Sequence, residues 1–401
     1  MAIKRAIFHL GMTKAGSSSI QHTLFNNALT LEKHGFKYLG EWGLSHFNRL
    51  QYLLSPCPVY PMNTKRLGKK IPKRKQINKN SIDTLLKVIN TTECETLIIS
   101  GEYFHELYLD LTIKNIKTFI NKYFLSQGIE ITIVYIVRNP LSWLISWTQQ
   151  ILFRIGFQNK NEDFFESAIQ QYRGVFNLKK EFHDSLKIIK FEDACLDKDG
   201  FVENFLKEIG FPESDFKNID IVKWNEARCM EAIEFIYYVE SVEPRYPYHH
   251  YKKINPNRFR SDLNILKKIK GVKFDLPFNS KEELWARLEN TVSLLKETTG
   301  IDYSNYKTPF SSVEEAYGEE TIRGFIEVFP DLSVVLQKHF LKFFEKKYME
   351  TAQEKFKQLH YKDSVTWKIY NSKNYALSIL SMRIKYKIFE IRKYLGRKIK
   401  N

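Results

Sequence analysis

Two short stretches combine residue types and spacings that suit anion binding. The first is Gly11-Met-Thr13-Lys14-Ala15-Gly16-Ser17-Ser18-Ser19, set between an apolar run and a helix-like segment. Small residues let a backbone wrap closely round a ligand. The first turn of a helix adds unsatisfied N–H groups and the positive end of its dipole. The three serines contribute hydroxyl donors, and Lys14 contributes a point charge. Gly11 and Gly16 keep the spacing of the triphosphate loop G-x-x-x-x-G-K-[ST], but Ser17 stands where that pattern has its lysine. The lysine lies inside the loop instead. A plain serine-rich helix cap is the competing reading.

The second stretch is Arg138-Asn139-Pro140, with Ser146 eight residues after the arginine. Proline suits the first turn of a helix, where its missing N–H costs nothing. A helix starting near Pro140 puts Ser146 about two turns in, on a face that turns back towards Arg138. An arginine paired with a hydroxyl suits a terminal phosphate. The competing roles are a surface cap for Arg138 and a packing position for Ser146. The acid that would hold magnesium beside a triphosphate is missing from this corner, where Arg138-Asn139-Pro140 follows the apolar run.

Both stretches need a frame that brings strand ends together. Residues 6–10, 96–100, 131–137 and 186–191 are short runs rich in Ile, Val, Leu or Phe, as buried parallel strands are. Helix-like segments separate them: 18–33, with Ile20, Leu24, Ala28 and Leu31 on one face, then 81–90, 112–124, 141–153 and 163–184. Alternating strands and helices predict a doubly wound α/β sheet, whose ligands lie beyond the carboxyl ends of the strands. After about residue 222 the pattern turns helical, over 225–242, 281–298 and 313–347, with an aromatic, proline-containing loop at 243–259. The expected organisation is an α/β core over 1–222, a helical C-terminal part of the same domain over 223–350 on the acceptor side, and a basic helical tail over 351–401.

The loop at 11–19 resembles the 5′-phosphosulfate loop of sulfotransferases that use 3′-phosphoadenosine 5′-phosphosulfate (PAPS), which reads G-x-x-K-[TAS]-G-[ST]-[ST]-[ST] after strand 1. Arg138 and Ser146 fall on the family's R-[ND]-P…S element, which holds the donor's 3′-phosphate. The segments IIKFEDACLDKDGFVENFLKEIGF (188–211) and WNEARCMEAIEF (224–235) are similar to later parts of bacterial carbohydrate-type members. The resemblance implies a P-loop-like parallel sheet flanked by helices. It also implies PAPS as sulfuryl donor, no metal, and donor contacts from Gly11, Thr13, Lys14, Ala15, Gly16, Ser17, Ser18, Ser19, Arg138 and Ser146. Lys14 would stabilise the leaving phosphate. The acceptor would be a carbohydrate or glycolipid hydroxyl.

Sulfuryl transfer also needs a base for the acceptor. Glu102, just past the strand ending at Ser100, is the first candidate, since glycan-modifying members often place a glutamate in a similar segment; other members use histidine. Its competing roles are a helix cap or a partner for a surface lysine. His105 is the second candidate, with His46 and His9 as fallbacks, although a histidine inside a strand is more often a packed core residue.

The 401-residue chain is 43% apolar and 27% charged, with a net charge of +16. That balance favours anionic partners without choosing among them. Four scattered cysteines without a C-x-x-C pair point to reduced thiols and a cytoplasmic protein. No apolar run reaches the ~20 residues that span a bilayer. The basic segment 65–79 holds eight basic residues and no acid; it reads as a solvated loop or as an acceptor or membrane contact. The basic helical segment 367–401 suits either packing on its own domain or peripheral contact with the inner membrane face. Two other classes stay open: a kinase-like phosphotransferase, and a non-catalytic basic protein that binds acidic polymer or nucleic acid. No zinc finger or aromatic-basic RNA signature supports the last, and no nucleic acid is expected as partner.

Overall fold

The computed structural model describes residues 2–55, 74–102, 105–155, 162–224, 227–243, 263–275, 278–304 and 319–360. Strands that are apolar on both faces are buried by helices packed on either side. Five such strands form one parallel sheet: β1 (Arg5–His9), β2 (Phe36–Tyr38), β3 (Thr96–Ser100), β4 (Glu130–Val137) and β5 (Leu186–Lys190). Their order is β2-β3-β1-β4-β5. This is the expected α/β, P-loop-like parallel sheet flanked by helices. The register sets His9 beside Ser100 on one side and Val134 on the other. The core runs through Ala6, Ile7, Phe8, Leu97, Ile98, Ile99, Ile133 and Ile136, all essentially inaccessible.

Four strands lie within a residue of their expected bounds. β2 was not expected: three residues against β3 are too few to show a period. The first expected helix is two, α1 (Ser17–Asn26) and α2 (Ala28–Lys33). The break falls at Asn27, whose amide donates to the carbonyls of Thr23 and Asp220 and whose Oδ1 accepts the Asp220 N–H. The helix α3 (Phe47–Leu54) precedes the segment 56–73, which holds most of the basic run 65–79 and lies outside the described residues; Arg74 to Lys79 open α4 (Arg74–Thr91). Next come α5 (Asp110–Tyr123), α6 (Pro140–Ile155), α7 (Glu162–Phe182), α8 (Phe191–Leu196) and α9 (Phe201–Glu208).

The chain divides into two compact units, one of residues 1–148, 160–226 and 276–310 and the other of 149–159, 227–275 and 311–401. The first holds the sheet and also α11 (Phe278–Thr299), which packs on α7. Among the described residues, the second holds α10 (Met230–Val242), α12 (Glu319–Val328) and α13 (Val334–His360). Its core is aromatic, with Phe235, Phe325, Phe340 and Phe343 in contact. A turn at Phe329–Asp331, which contains Pro330, splits the single helix expected over 313–347. Residues 244–259 of the expected loop and the tail 367–401 lie outside the described residues. No described helix is long and apolar enough to cross a membrane.

Candidate active site

In an open parallel sheet the crevice forms where consecutive connections leave in opposite directions. Here β1 leads to β2 on one side and lies against β4 on the other, so the turns after β1 and β4 face each other. The first is the loop from Gly11 to Gly16. Its conformation is tight: Lys14 has φ 62° and Gly16 φ 79°, both in the left-handed region. That region is costly for a lysine, and strain of this kind persists where the surroundings hold it.

Those surroundings are specific. Thr13 donates its N–H (3.0 Å) and its hydroxyl (3.1 Å) to Gln171 Oε1 on α7, and its carbonyl accepts the Trp143 indole N–H at 2.7 Å. Ala15 is fully buried. Gly16 is required twice, because a Cβ there would lie 2.2 Å from the Phe201 ring as well as at positive φ. Ser17 opens α1, its hydroxyl reaching the Met12 carbonyl at 3.5 Å. Ser18 follows, half-buried. Ser19 spends its hydroxyl elsewhere: Oγ accepts the Trp224 N–H at 2.9 Å and lies 3.3 Å from the Trp224 carbonyl. The half-exposed Trp224 ring stacks on His22, centroids 3.9 Å apart.

The corner after β4 meets this loop directly. Arg138 Nη1 donates to the Lys14 carbonyl at 2.5 Å across 124 residues of sequence, and Nε donates to Ser142 Oγ at 2.9 Å. The guanidinium lies over the Phe191 ring, 4.7 Å from its centre. Asn139 caps α6, its Oδ1 accepting the Ser142 N–H at 3.0 Å, with Pro140 as the first helical residue. The hydroxyl that meets Arg138 is thus that of Ser142, one turn into the helix. Ser146 sits a turn further on, half-buried.

Behind Arg138 lies a polar network of residues outside the expected site. Glu192 Oε1 accepts the Asn139 N–H and the Ser142 hydroxyl, each at 3.0 Å, and Oε2 accepts the Tyr303 hydroxyl at 2.8 Å. Tyr172 donates its hydroxyl to the Arg138 carbonyl at 2.6 Å. Burial first, and then the Glu192 charge, push the Tyr172 and Tyr303 phenols up, so both stay protonated donors. Asn139 and Glu192 stand inside segments already marked by motif, FEDACL being an acidic turn after a strand. Tyr303, in the segment after a helix, carries no such signal.

Of the candidate bases, Glu102 lies half-buried just beyond β3. His105 opens a short 3-10 turn, His105–Tyr108. His9 and His46 are fully buried, and burial holds both down to about 3, which leaves them neutral and weakly basic. His9 Nδ1 lies 2.9 Å from Ser100 Oγ, and His46 Nδ1 accepts the Ser100 N–H at 3.0 Å. Both fallback histidines therefore sit in the interior, on either side of Ser100.

No protein-family model matches the chain, and no curated protein matches it. Among solved structures, it is similar to a sulfotransferase from Alicyclobacillus acidocaldarius, with 13% identity over 75% of this chain and 98% of that one and a TM-score of 0.39. It is similar to retinol dehydratase in complex with androsterone and the inactive cofactor PAP, with 17% identity over 76% of this chain and 84% of that one and a TM-score of 0.32. A sulfotransferase domain from the curacin biosynthetic pathway shares 13% identity over 72% of this chain and 99% of its own length, with a TM-score of 0.30.

Proposed function

We propose that this chain is a PAPS-dependent sulfotransferase that moves the sulfuryl group to a carbohydrate or glycolipid hydroxyl and releases adenosine 3′,5′-bisphosphate. The observation that carries the reading is the meeting of two anion-binding elements at one crevice, with Arg138 bonded to the Lys14 carbonyl. One element offers loop N–H groups, a helix N-terminus and Lys14, and the other offers Arg138 with a serine hydroxyl. A ligand with two separate phosphate groups matches such a pair. The half-exposed Trp224 ring beside Ser19 supplies an aromatic face for a nucleobase.

In this reading Gly11 to Ser18 bind the phosphosulfate, and Arg138 with Ser142 or Ser146 binds the 3′-phosphate. Glu102, or His105 in its place, takes the acceptor proton as the new oxygen–sulfur bond forms. The old sulfur–oxygen bond breaks, and Lys14 neutralises the charge left on the bisphosphate. A kinase-like reaction would call for a carboxylate at the β4 tip, where Arg138 stands. The acceptor class rests on the sequence resemblance and on Glu102, as do a cytoplasmic location and inner-membrane contact by the basic tail. Liposome sedimentation with and without residues 367–401 tests that contact, and equal sedimentation refutes it.

Calorimetric titration with adenosine 3′,5′-bisphosphate and with ATP tests the donor assignment. The bisphosphate should bind without magnesium, and Lys14→Ala and Arg138→Ala should each weaken it at least about tenfold, as expected for charged hydrogen bonds. Preference for ATP with magnesium overturns the assignment.

A further inference from the structure

Beneath the loop lies a chain of buried polar side chains that the proposed reaction does not use. Gln21 Nε2, on α1, donates to Ser100 Oγ at 3.2 Å. Ser100 Oγ lies 2.9 Å from His9 Nδ1. The far side of the His9 ring carries Nε2, which is fully buried and has no hydrogen-bond partner. A Cβ on Gly11 would lie 2.9 Å from His9 Nε2 and 2.9 Å from Ser17 Oγ. Both atoms therefore border the space that glycine leaves empty on the inner side of the loop. A buried polar atom without a partner costs roughly 1–3 kcal/mol, so its retention calls for a reason.

Resting on the reading of this loop as the donor's anion site, we propose that His9 is a positioning residue: its Nε2–H hydrogen-bonds to Ser17 Oγ when the anion binds, and so aims the Ser17 hydroxyl at the anion. The groups fix the first hydrogen-bond direction. An amide nitrogen only donates, so Ser100 Oγ accepts from Gln21. In the proposed chain Ser100 gives its one proton to His9 Nδ1, and the His9 proton sits on Nε2. The alternative turns the Ser100 proton towards the Tyr38 oxygen, whose own proton goes to the Leu44 carbonyl at 2.7 Å, and moves the His9 proton to Nδ1. That tautomer would turn a lone pair towards the anion, which repels it. The Ser17 hydroxyl makes a long contact, 3.5 Å, with the Met12 carbonyl. An anion draws that proton, and the Ser17 lone pairs become the acceptor for His9 Nε2–H. Donors then run one way from Gln21 through Ser100, His9 and Ser17 to the anion, and bonds in such a chain polarise one another. Burial keeps the imidazole neutral at physiological pH, which preserves the direction.

The experiment titrates the full chain with adenosine 3′,5′-bisphosphate in wild type, His9→Gln, His9→Asn and His9→Leu. Glutamine keeps a donor near the Nε2 position, asparagine keeps a polar group only near Nδ1, and leucine keeps neither. His9→Gln should bind within about threefold of wild type, while His9→Asn and His9→Leu should lose about tenfold, the loss of one hydrogen bond to a polarised group. Nitrogen-15 histidine NMR on the wild type should show the His9 proton on Nε2, with its resonance moving downfield on saturation with the bisphosphate. A proton on Nδ1, an unmoved resonance, or equal affinity of the Gln and Leu variants overturns the inference. Wild-type protein that binds no bisphosphate overturns the donor reading itself, and this inference with it.

Discussion

Gly16→Ala tests the architecture of the loop most sharply, because two separable costs fall on one methyl group. The backbone holds Gly16 at φ 79°, and an L side chain in the left-handed region costs roughly 1–2 kcal/mol. The added Cβ would also lie 2.2 and 2.4 Å from two Phe201 ring carbons, far inside contact distance. Overpacking of this kind costs about 1–3 kcal/mol. The sum is about 2–5 kcal/mol. Phe201 packs edge-on against Phe191 at 5.1 Å, and Phe191 is the platform under Arg138, so the strain should also reach the Arg138 guanidinium. A double-mutant cycle separates the costs. On a Phe201→Ala background the clash is gone, and Gly16→Ala should cost only the backbone part, leaving a coupling of about 1–3 kcal/mol. Urea midpoints of the four proteins, with bisphosphate affinity measured beside them, give the cycle. Equal costs of Gly16→Ala in both backgrounds would show that the Phe201 ring does not occupy the space beside Gly16, and the account of this loop would fail.

Glu102→Gln should leave bisphosphate affinity within about twofold of wild type and lower sulfuryl transfer by 10²-fold or more, the usual weight of a general base; near-normal turnover would remove Glu102 from the reaction. Tyr303→Phe takes a donor from the buried Glu192 carboxylate and should destabilise the protein by about 1–3 kcal/mol, read as a lower urea midpoint at pH 7.5, whereas a midpoint equal to wild type contradicts the network. Acid should also unfold the chain through its buried histidines. His9 and His46 are held down to about 3 when folded and titrate near 6.5 when unfolded. Between those values the unfolded state binds more protons, so stability is full above about pH 6.5 and falls as pH drops towards 3. At pH 5 each histidine should have lost about 2 kcal/mol. Stability curves from pH 7.5 to 4.5 that are no flatter in His9→Asn than in wild type would contradict this.

Much of the site was legible because its signals are local. A strand, a glycine-bounded loop and a helix N-terminus lie within about twenty consecutive residues, and the spacing of Gly11, Lys14 and Gly16 is fixed by the chain itself. The corner at Arg138-Asn139-Pro140 is local in the same way, since an Asn cap and a Pro at the first helical position act within one turn. What stayed hidden depends on contacts between distant segments. The edge strand β2 exists because β3 offers it a ladder. Asn27 splits α1 from α2 because residue 220 passes beside it. Ser142 is local to Arg138, four residues on, but the Glu192 carboxylate and Tyr303 hydroxyl behind it come from 50 and 161 residues further along the sequence. His9 read as a fallback base or a packed core residue; its place under the loop comes from the register that sets it beside Ser100. The sequence by itself determined that two strand-to-helix turns exist and where each begins and ends, since backbone conformation, capping and charge act over a few residues. Only the tertiary structure decided that the two turns meet, and which hydroxyl and which carboxylate stand behind the arginine, because those contacts depend on strand order and side-chain packing across the sheet.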